Sequence, residues 1–305
     1  MKKLSLVVPA FNESACIDRF VETIFGLGLA NPLEIVFVDD GSGDDTLAKV
    51  KAQAEKDGRV RYVSFSRNFG KEAALYAGLA HATGDFVVTM DADLQHRPEL
   101  LKDMVHALEV EGYDCAAACR TTRTGEPPLR SWFAHRFYEL MSKYSDVNLK
   151  DGSMDYRMMT RQVVEAVLSF SEANRFTKGI YQWVGFRTKW IETENVERVA
   201  GETKWSFWSL FAYSVRGILA FSTAPLQLAS VLGFGFCVLS FLYMTFVFVK
   251  WLCYGDPVGG WPTLMCVVLL LGGLQLFVVG ILGLYIAGIF RETKRRPIYI
   301  VKEAK

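Results

Sequence analysis

Along residues 1–119 the chain alternates short, unbroken apolar runs with stretches whose apolar positions recur every three or four residues. The runs LSLVVP (4–9), EIVFVD (34–39), RYVSFS (61–66), DFVVTM (85–90) and DCAAAC (114–119) predict strands. Their continuous apolar character implies burial on both faces, as in a parallel sheet. Helices are predicted between them over 14–28, 44–57, 72–82 and 98–111, with Asp44 or Asp45 and Pro98 as plausible starts. Repeated strand–helix units predict an α/β sandwich whose ligand site lies at the carboxyl ends of the strands. The opening Met1-Lys2-Lys3 followed by LSLVVPAF imitates a secretion signal, but the apolar run is short and ends in Asn12-Glu13, so it reads as a buried first strand.

The pattern changes after residue 204. Leu226 to Val249 is a 24-residue apolar run and Thr263 to Ile289 one of 27. A bilayer core needs about 20 helical residues, so each predicts a transmembrane helix (226–249 and 263–289). Gly233, Gly235, Gly272, Gly273, Gly280 and Gly283 suit close helix–helix approach in lipid. The segment 205–221 is apolar, aromatic and nearly uncharged (Trp205, Phe207, Trp208, Phe211, Tyr213), and reads as an interfacial helix. Between the spans, 250–262 holds only Lys250 and Asp256, whereas 290–305 carries Arg291, Lys294, Arg295, Arg296, Lys302 and Lys305. By the positive-inside rule the tail is cytoplasmic and the short loop periplasmic; two spans then put domain 1–204 on the cytoplasmic side.

Composition narrows the class. The chain has 305 residues, 51% hydrophobic, with a formal net charge of +1, which excludes a disordered chain and a small disulfide scaffold. Residues 1–216 carry 27 Lys+Arg against 30 Asp+Glu, so there is no basic excess with which to bind nucleic acid. The six cysteines show no CxxC pair or zinc spacing and read as reduced thiols.

Polar residues gather where the strands end. The first strand runs into Pro9-Ala10-Phe11-Asn12-Glu13, the second into Asp39-Asp40-Gly41-Ser42, the third into Arg67-Asn68-Phe69-Gly70-Lys71, and the fourth into Asp91-Ala92-Asp93-Leu94-Gln95. Four consecutive strands thus deliver acidic and amide groups to one rim, which points to a binding site. Neither GxGxxG nor GxxxxGK[ST] is present, so phosphates are not held by a glycine loop. Asp91 and Asp93 offer two hard carboxylates able to hold Mg2+ or Mn2+ against diphosphate oxygens, stabilising a departing nucleotide.

With PAFNE, VDDGSGDDT, SRNFGKEAALYAGL, ATGDFVVTMDADLQ and MDYRMMTR, the chain resembles the inverting family 2 glycosyltransferases of GT-A fold. With its two spans, NRFTKGIYQWVGF and ETKRRPIYI, it resembles over nearly its whole length the bacterial polyprenyl-phosphate glycosyltransferases of the bactoprenol glucosyltransferase type, related to dolichyl-phosphate mannose synthases. The resemblance implies a GT-A-type, Rossmann-like α/β sandwich with a mainly parallel sheet over 1–204, followed by the interfacial and transmembrane helices. It implies transfer of a hexose from a UDP-sugar to undecaprenyl (polyprenyl) phosphate at the bacterial inner membrane, with a divalent metal. It also leans towards a homo-oligomer, plausibly a tetramer.

Residue by residue, the resemblance assigns Pro9, Phe11, Glu13 and Asp40 to the nucleotide, with Asp39 towards the uracil end and Lys71 a further candidate. Asp91, Ala92 and Asp93 fall on the sugar-nucleotide motif, with Asp91, Asp93 and Gln95 as metal ligands and Asp93 also acting in catalysis. The catalytic carboxylate matches Asp155; Asp151 is the rival, and the hydrophobic flanks favour Asp155 on a short strand facing the site. Arg120, Arg123 and Arg130, in a segment rich in arginine, match the lipid-phosphate site, and Arg198 and Lys204 match a basic loop before the interfacial helix. The acceptor phosphate has its second pKa near 6 and is mostly ionised at neutral pH, so a strong base is less necessary than for a hydroxyl. Two roles stay open for Asp155: taking the remaining proton, or orienting a cation or the sugar. A GDP-mannose-dependent mannosyltransferase remains an alternative. A processive polysaccharide synthase is a weaker one, because Gln182-Trp183 lacks the QxxRW register.

Overall fold

In the computed structural model, which describes residues 1–120, 150, 152–193, 221–254 and 260–305, each of the five apolar runs forms a strand. They are β1 (Leu4–Ala10), β2 (Leu33–Asp39), β3 (Val60–Phe65), β4 (Phe86–Thr89) and β5 (Cys115–Arg120). Between them lie α1 (Ile17–Gly26), α2 (Thr46–Lys56), α3 (Lys71–His81) and α4 (Leu100–Glu109). α1 buries Ile17, Phe20, Val21 and Ile24, a single stripe at helical spacing. It starts later than its apolar pattern suggests because the backbone N–H groups of Glu13 and Ser14 are given to Thr46 and Asp44 at the start of α2.

Three further strands complete the sheet: β6 (Ser153–Thr160), β7 (Thr188–Thr193) and β8 (Val301–Ala304), with helices α5 (Arg161–Leu168) and α6 (Thr177–Trp183). The order is β7-β5-β6-β4-β1-β2-β3-β8. β6 pairs antiparallel with both β4 and β5, and β8 antiparallel with β3, while the other pairings are parallel. The sheet is therefore mainly parallel, as the apolar runs imply.

Alternation along the strands divides the core into two faces. Leu4, Leu6 and Val8 of β1 join Tyr156 and Met158 of β6 against α1, α2 and α4. Val7 and Met159 turn the other way, against Leu79 of α3, Val163 and Val164 of α5 and Ile180 of α6. α3 approaches β1 closely because residue 78 is glycine: a Cβ there would lie 2.1 Å from Val7 Cγ1.

Two long helices follow, α7 (Ala224–Tyr254, 31 residues) and α8 (Trp261–Thr293, 33 residues), each reaching past the apolar run that predicts it. At 1.5 Å per residue they are about 45–50 Å long, enough to cross a bilayer. Their windows have mean hydropathies of 1.8 and 2.5, and large apolar side chains such as Phe234 and Leu276 are 72% and 75% exposed. Residues 205–220 of the expected interfacial helix and 255–259 of the loop between the spans lie outside the described residues.

The end of the chain departs from the expectation of a simple basic tail. β8 covers the outer edge of β3, with Tyr299 stacked on Phe65 at 5.0 Å between ring centroids and Lys51 paired with Glu303 at 2.7 Å. An uncovered edge strand presents unpaired N–H and C=O groups, and the returning chain satisfies them.

Candidate active site

The rim at the carboxyl ends of β1 to β4 is built by carboxylates that bind the protein's own loops. Asp39 accepts hydrogen bonds from Ser42 N (3.1 Å) and Ser64 Oγ (2.8 Å), and Asp40 from Phe69 N (2.6 Å) and Gly70 N (2.9 Å). Both are nearly inaccessible, at 1% and 3% exposure, so their carboxyl groups shape the loops and do not line open space. Burial raises the Asp40 pKa above the ordinary carboxylate value, and the two backbone N–H donors only partly offset this. Phe11, by contrast, is 36% exposed beside Asn12, whose side-chain oxygen accepts from Gly43 N at 2.9 Å. Pro9 is half-buried at the end of β1, and Glu13 is half-buried where its N–H donates to Thr46 Oγ1.

Gly41 lets this rim close. Its φ is +68°, and a Cβ would lie 2.5 Å from the Arg67 carbonyl carbon and 2.8 Å from Asn68 N, both backbone atoms that cannot step aside. Gly41→Ala is expected to cost about 2 kcal/mol of stability from strain and overpacking. The loop carrying Phe69 and Gly70 must move to admit the methyl group. Denaturant unfolding checks this; a variant of unchanged stability would show that the two loops are not packed as described.

At the end of β4 the chain turns sharply. Leu94 has a φ of +54°, a left-handed conformation that costs a side-chain-bearing residue about 1 kcal/mol or more, and it separates Asp91 and Asp93 from Gln95 and His96. Asp93 Oδ1 accepts from Gln95 N at 3.1 Å, and Ala92 is buried beneath. The His96 ring is 6% exposed and stacked on Tyr156 at 5.2 Å, with Nε2 3.6 Å from Asp91 Oδ2. Neither ring nitrogen has a hydrogen-bond partner, so a buried polar group faces the first carboxylate of the pair.

Lys71, the first residue of α3, ties the two acidic elements together. Its Nζ lies 2.7 Å from Asp91 Oδ1, 2.9 Å from Asp91 Oδ2 and 3.1 Å from Asp155 Oδ2. Lys178 Nζ lies 3.8 Å from Asp155 Oδ1 and donates to the Ser153 carbonyl at 3.0 Å. Burial would raise both carboxyl groups. At Asp91 the Lys71 ammonium outweighs it, and at Asp155 the Lys178 and Lys71 ammonium groups together do so, holding both below the usual carboxylate range. Asp155 sits on β6 with its backbone carbonyl accepting from Thr89 Oγ1.

The structure therefore brings Lys71, Lys178, Asp91 and Asp155 to one place, with Asp93 two residues after Asp91 and Pro9, Phe11 and Glu13 on the neighbouring strand end. Arg120 closes β5, where its N–H donates to Gly152 O at 2.9 Å. Arg123, Arg130, Arg198, Lys204 and the rival carboxylate Asp151 lie outside the described residues. Sequence reasoning missed Lys178, His96 and Glu72. His96 follows Gln95 directly, so its place in the DADLQH run was the available signal; Lys178 and Glu72 are brought to the site only by the packing of α6 on α3.

Among the described residues no three acidic, histidine or cysteine groups converge as a protein-only metal cage. A hard ion such as Mg2+ can instead be held by one or two carboxylates and completed by substrate phosphates. Asp91 and Asp93, two hard carboxylates one residue apart beside the Leu94 turn, are of the donor type such an ion takes.

The chain is thus a mainly parallel α/β sandwich whose strand ends carry a rim of carboxylates. The chain belongs to glycosyl transferase family 2, whose family model matches residues 5–168, and it is a glycosyltransferase. It is 41% identical to a bactoprenol glucosyl transferase of Shigella phage SfV, over 99% of each chain. It is 44% identical to the CsbB protein of Bacillus subtilis (strain 168), over 99% of this chain and 92% of that one. Among solved structures it is similar to the mannosyltransferase PcManGT of Pyrobaculum calidifontis, with 23% identity, a TM-score of 0.49, and coverage of 72% of this chain and 61% of that one.

Proposed function

We propose that this chain transfers glucose from UDP-glucose to undecaprenyl phosphate, with inversion, at the cytoplasmic face of a bacterial inner membrane. The observation that carries the reading is the 41% identity to a bactoprenol glucosyl transferase over 99% of both chains, the two long apolar helices included. Support for a catalytic unit held at one membrane side comes from β8: the chain enters α7 from the catalytic sheet and returns to that sheet after α8. Residues 1–204 are the catalytic unit, and 226–249 and 263–289 cross the membrane. The glycines of the spans suit a homo-oligomer, a tetramer among the options.

In this reading the nucleotide lies against Pro9, Phe11 and Glu13, with Asp39 and Asp40 fixing the loops around it. Asp91 and Asp93, with Gln95 beside them, would hold Mg2+ or Mn2+, which when bound neutralises charge on the leaving diphosphate. A phosphate oxygen of the acceptor forms the new bond to the anomeric carbon as the bond to the departing UDP oxygen breaks, so no enzyme nucleophile intervenes. The acceptor arrives already ionised, and Asp155, flanked by two ammonium groups, suits the orienting role better than proton uptake. Arg120, with Arg123, Arg130, Arg198 and Lys204, supplies cations for the lipid phosphate.

Membranes containing the protein, given radiolabelled UDP-glucose and undecaprenyl phosphate, should yield organic-extractable label that is lost on chelation and restored by Mg2+ or Mn2+. Insoluble label would mark a polymer synthase, label from GDP-mannose alone a mannosyltransferase, and full turnover after chelation would remove the metal from the account.

A further inference from the structure

Lys178 reaches the site on an element gripped from the membrane side. α6 begins at Thr177, whose N–H donates to Glu72 Oε2 at 3.0 Å and whose hydroxyl donates to the same oxygen. Glu72 follows Lys71, so one contact fixes the backbone next to both lysines that face Asp155. Just before α6, Ala173 N and Asn174 N donate to the carboxylate of Glu292, at the end of α8, at 3.0–3.1 Å. Phe176 meets Phe221, three residues before α7, edge-on at 6.0 Å. Gly179 lets that ring in: a Cβ there would lie 2.6 Å from Phe221 Cε2. Tyr285 of α8 donates to Ser222 O at 2.8 Å, tying α8 to the segment just before α7.

The two ammonium groups differ in what they hold. Lys71 bridges both carboxylates, Asp91 at 2.7 and 2.9 Å and Asp155 at 3.1 Å. Lys178 contacts Asp155 alone of the two carboxylates, from an element anchored to the ends of both long helices. Lys178 is therefore the ammonium carried by an element that residues at the ends of both long helices hold. We infer that Lys178 is a binding residue for the acceptor phosphate, its ammonium passing from Asp155 and the Ser153 carbonyl to a phosphate oxygen and steering that oxygen towards the sugar. This rests on the proposed lipid-phosphate acceptor.

The test uses the full chain in detergent with undecaprenyl phosphate and radiolabelled UDP-glucose, varying each in turn. Lys178→Ala should raise the KM for undecaprenyl phosphate about tenfold or more, the usual scale for losing a charge-assisted contact. The KM for UDP-glucose should stay within about twofold, and Lys178→Arg should recover most of the loss. An equal rise in both KM values would assign Lys178 to the donor diphosphate and overturn the inference. So would a fall in kcat with both KM values unchanged, which would leave it only orienting Asp155, or no change at all. If Lys178→Ala does not melt cooperatively, Lys178→Met, which keeps the aliphatic stem, carries the same comparison. If the wild type labels no undecaprenyl phosphate, the functional reading falls and this inference with it; if it does and Lys178→Ala keeps its acceptor KM, only this inference falls.

Discussion

Replacing Asp155 by Asn is expected to lower kcat about 1,000-fold, the scale on which preorganised charge at a reacting centre acts. Asp155 is the only carboxylate in the described site that touches both Lys71 and Lys178, at 3.1 and 3.8 Å. An amide keeps the shape but leaves two ammonium groups facing each other with no anion between them. Lys71 still has both oxygens of Asp91, so UDP-glucose affinity should change far less than turnover. Asp155→Glu restores the charge but moves it by about one ångström, and a displacement of that size costs about 100-fold. Single-turnover rates with saturating donor and acceptor separate these outcomes. A D155N enzyme retaining a tenth of the wild-type rate would remove Asp155 from the reacting centre.

The second large effect lies at the opposite end of the strands and concerns stability. Glu34 of β2 is 4% exposed and holds Lys3 Nζ (2.7 Å), Ser5 Oγ (2.6 Å), and both Thr83 N and Thr83 Oγ1 (2.8 Å each). It therefore joins β1, β2 and the loop before β4. Burial works to raise its pKa, but the Lys3, Ser5 and Thr83 hydrogen bonds outweigh this and bring it down to about 2 from the ordinary 4.5. A depressed carboxyl stabilises the fold fully above the unfolded value, and that contribution fades as the pH falls from 4.5 towards 2. Over that window the linkage amounts to about 3 kcal/mol. Glu34→Ala should cost at least as much at neutral pH, because Lys3 and the Thr83 N–H lose their buried acceptor. Glu34→Gln should flatten the acid limb of stability against pH. Unfolding curves in detergent from neutral to acid pH would show both; an acid limb unchanged in E34Q would mean that other carboxylates set it.

Much of the sandwich is legible in local pattern. The five apolar runs become β1 to β5 within a residue or so, because a strand buried on both faces must be apolar at nearly every position. The stripe Leu101, Met104, Ala107 and Leu108 declares α4 in the same way. Asp91 and Asp93 are legible as a pair because they leave a buried strand together. Asp155 is legible on its short strand, where Met154, Tyr156 and Met158 go into the core and leave it on the opposite face. Asp39 and Asp40 look in the sequence like ligand carboxylates, and in the fold both also hold backbone and hydroxyl donors of the rim itself. A linear pattern records that a position is acidic, not which donors surround it.

Periodicity and residue chemistry alone decide that this chain makes strand–helix units with acidic strand ends, followed by two helices long enough to span a membrane. Both properties are local, since burial dictates polarity position by position. Folding in three dimensions decides the rest: that β6 runs backwards between β4 and β5, that the final residues return to cover β3, and that Lys71 and Lys178 converge on Asp155 from helices far apart in the chain. These depend on which sheet edges stand open and which side chains pack across α3 and α6, and such pairings leave no period along the chain for a reader to find.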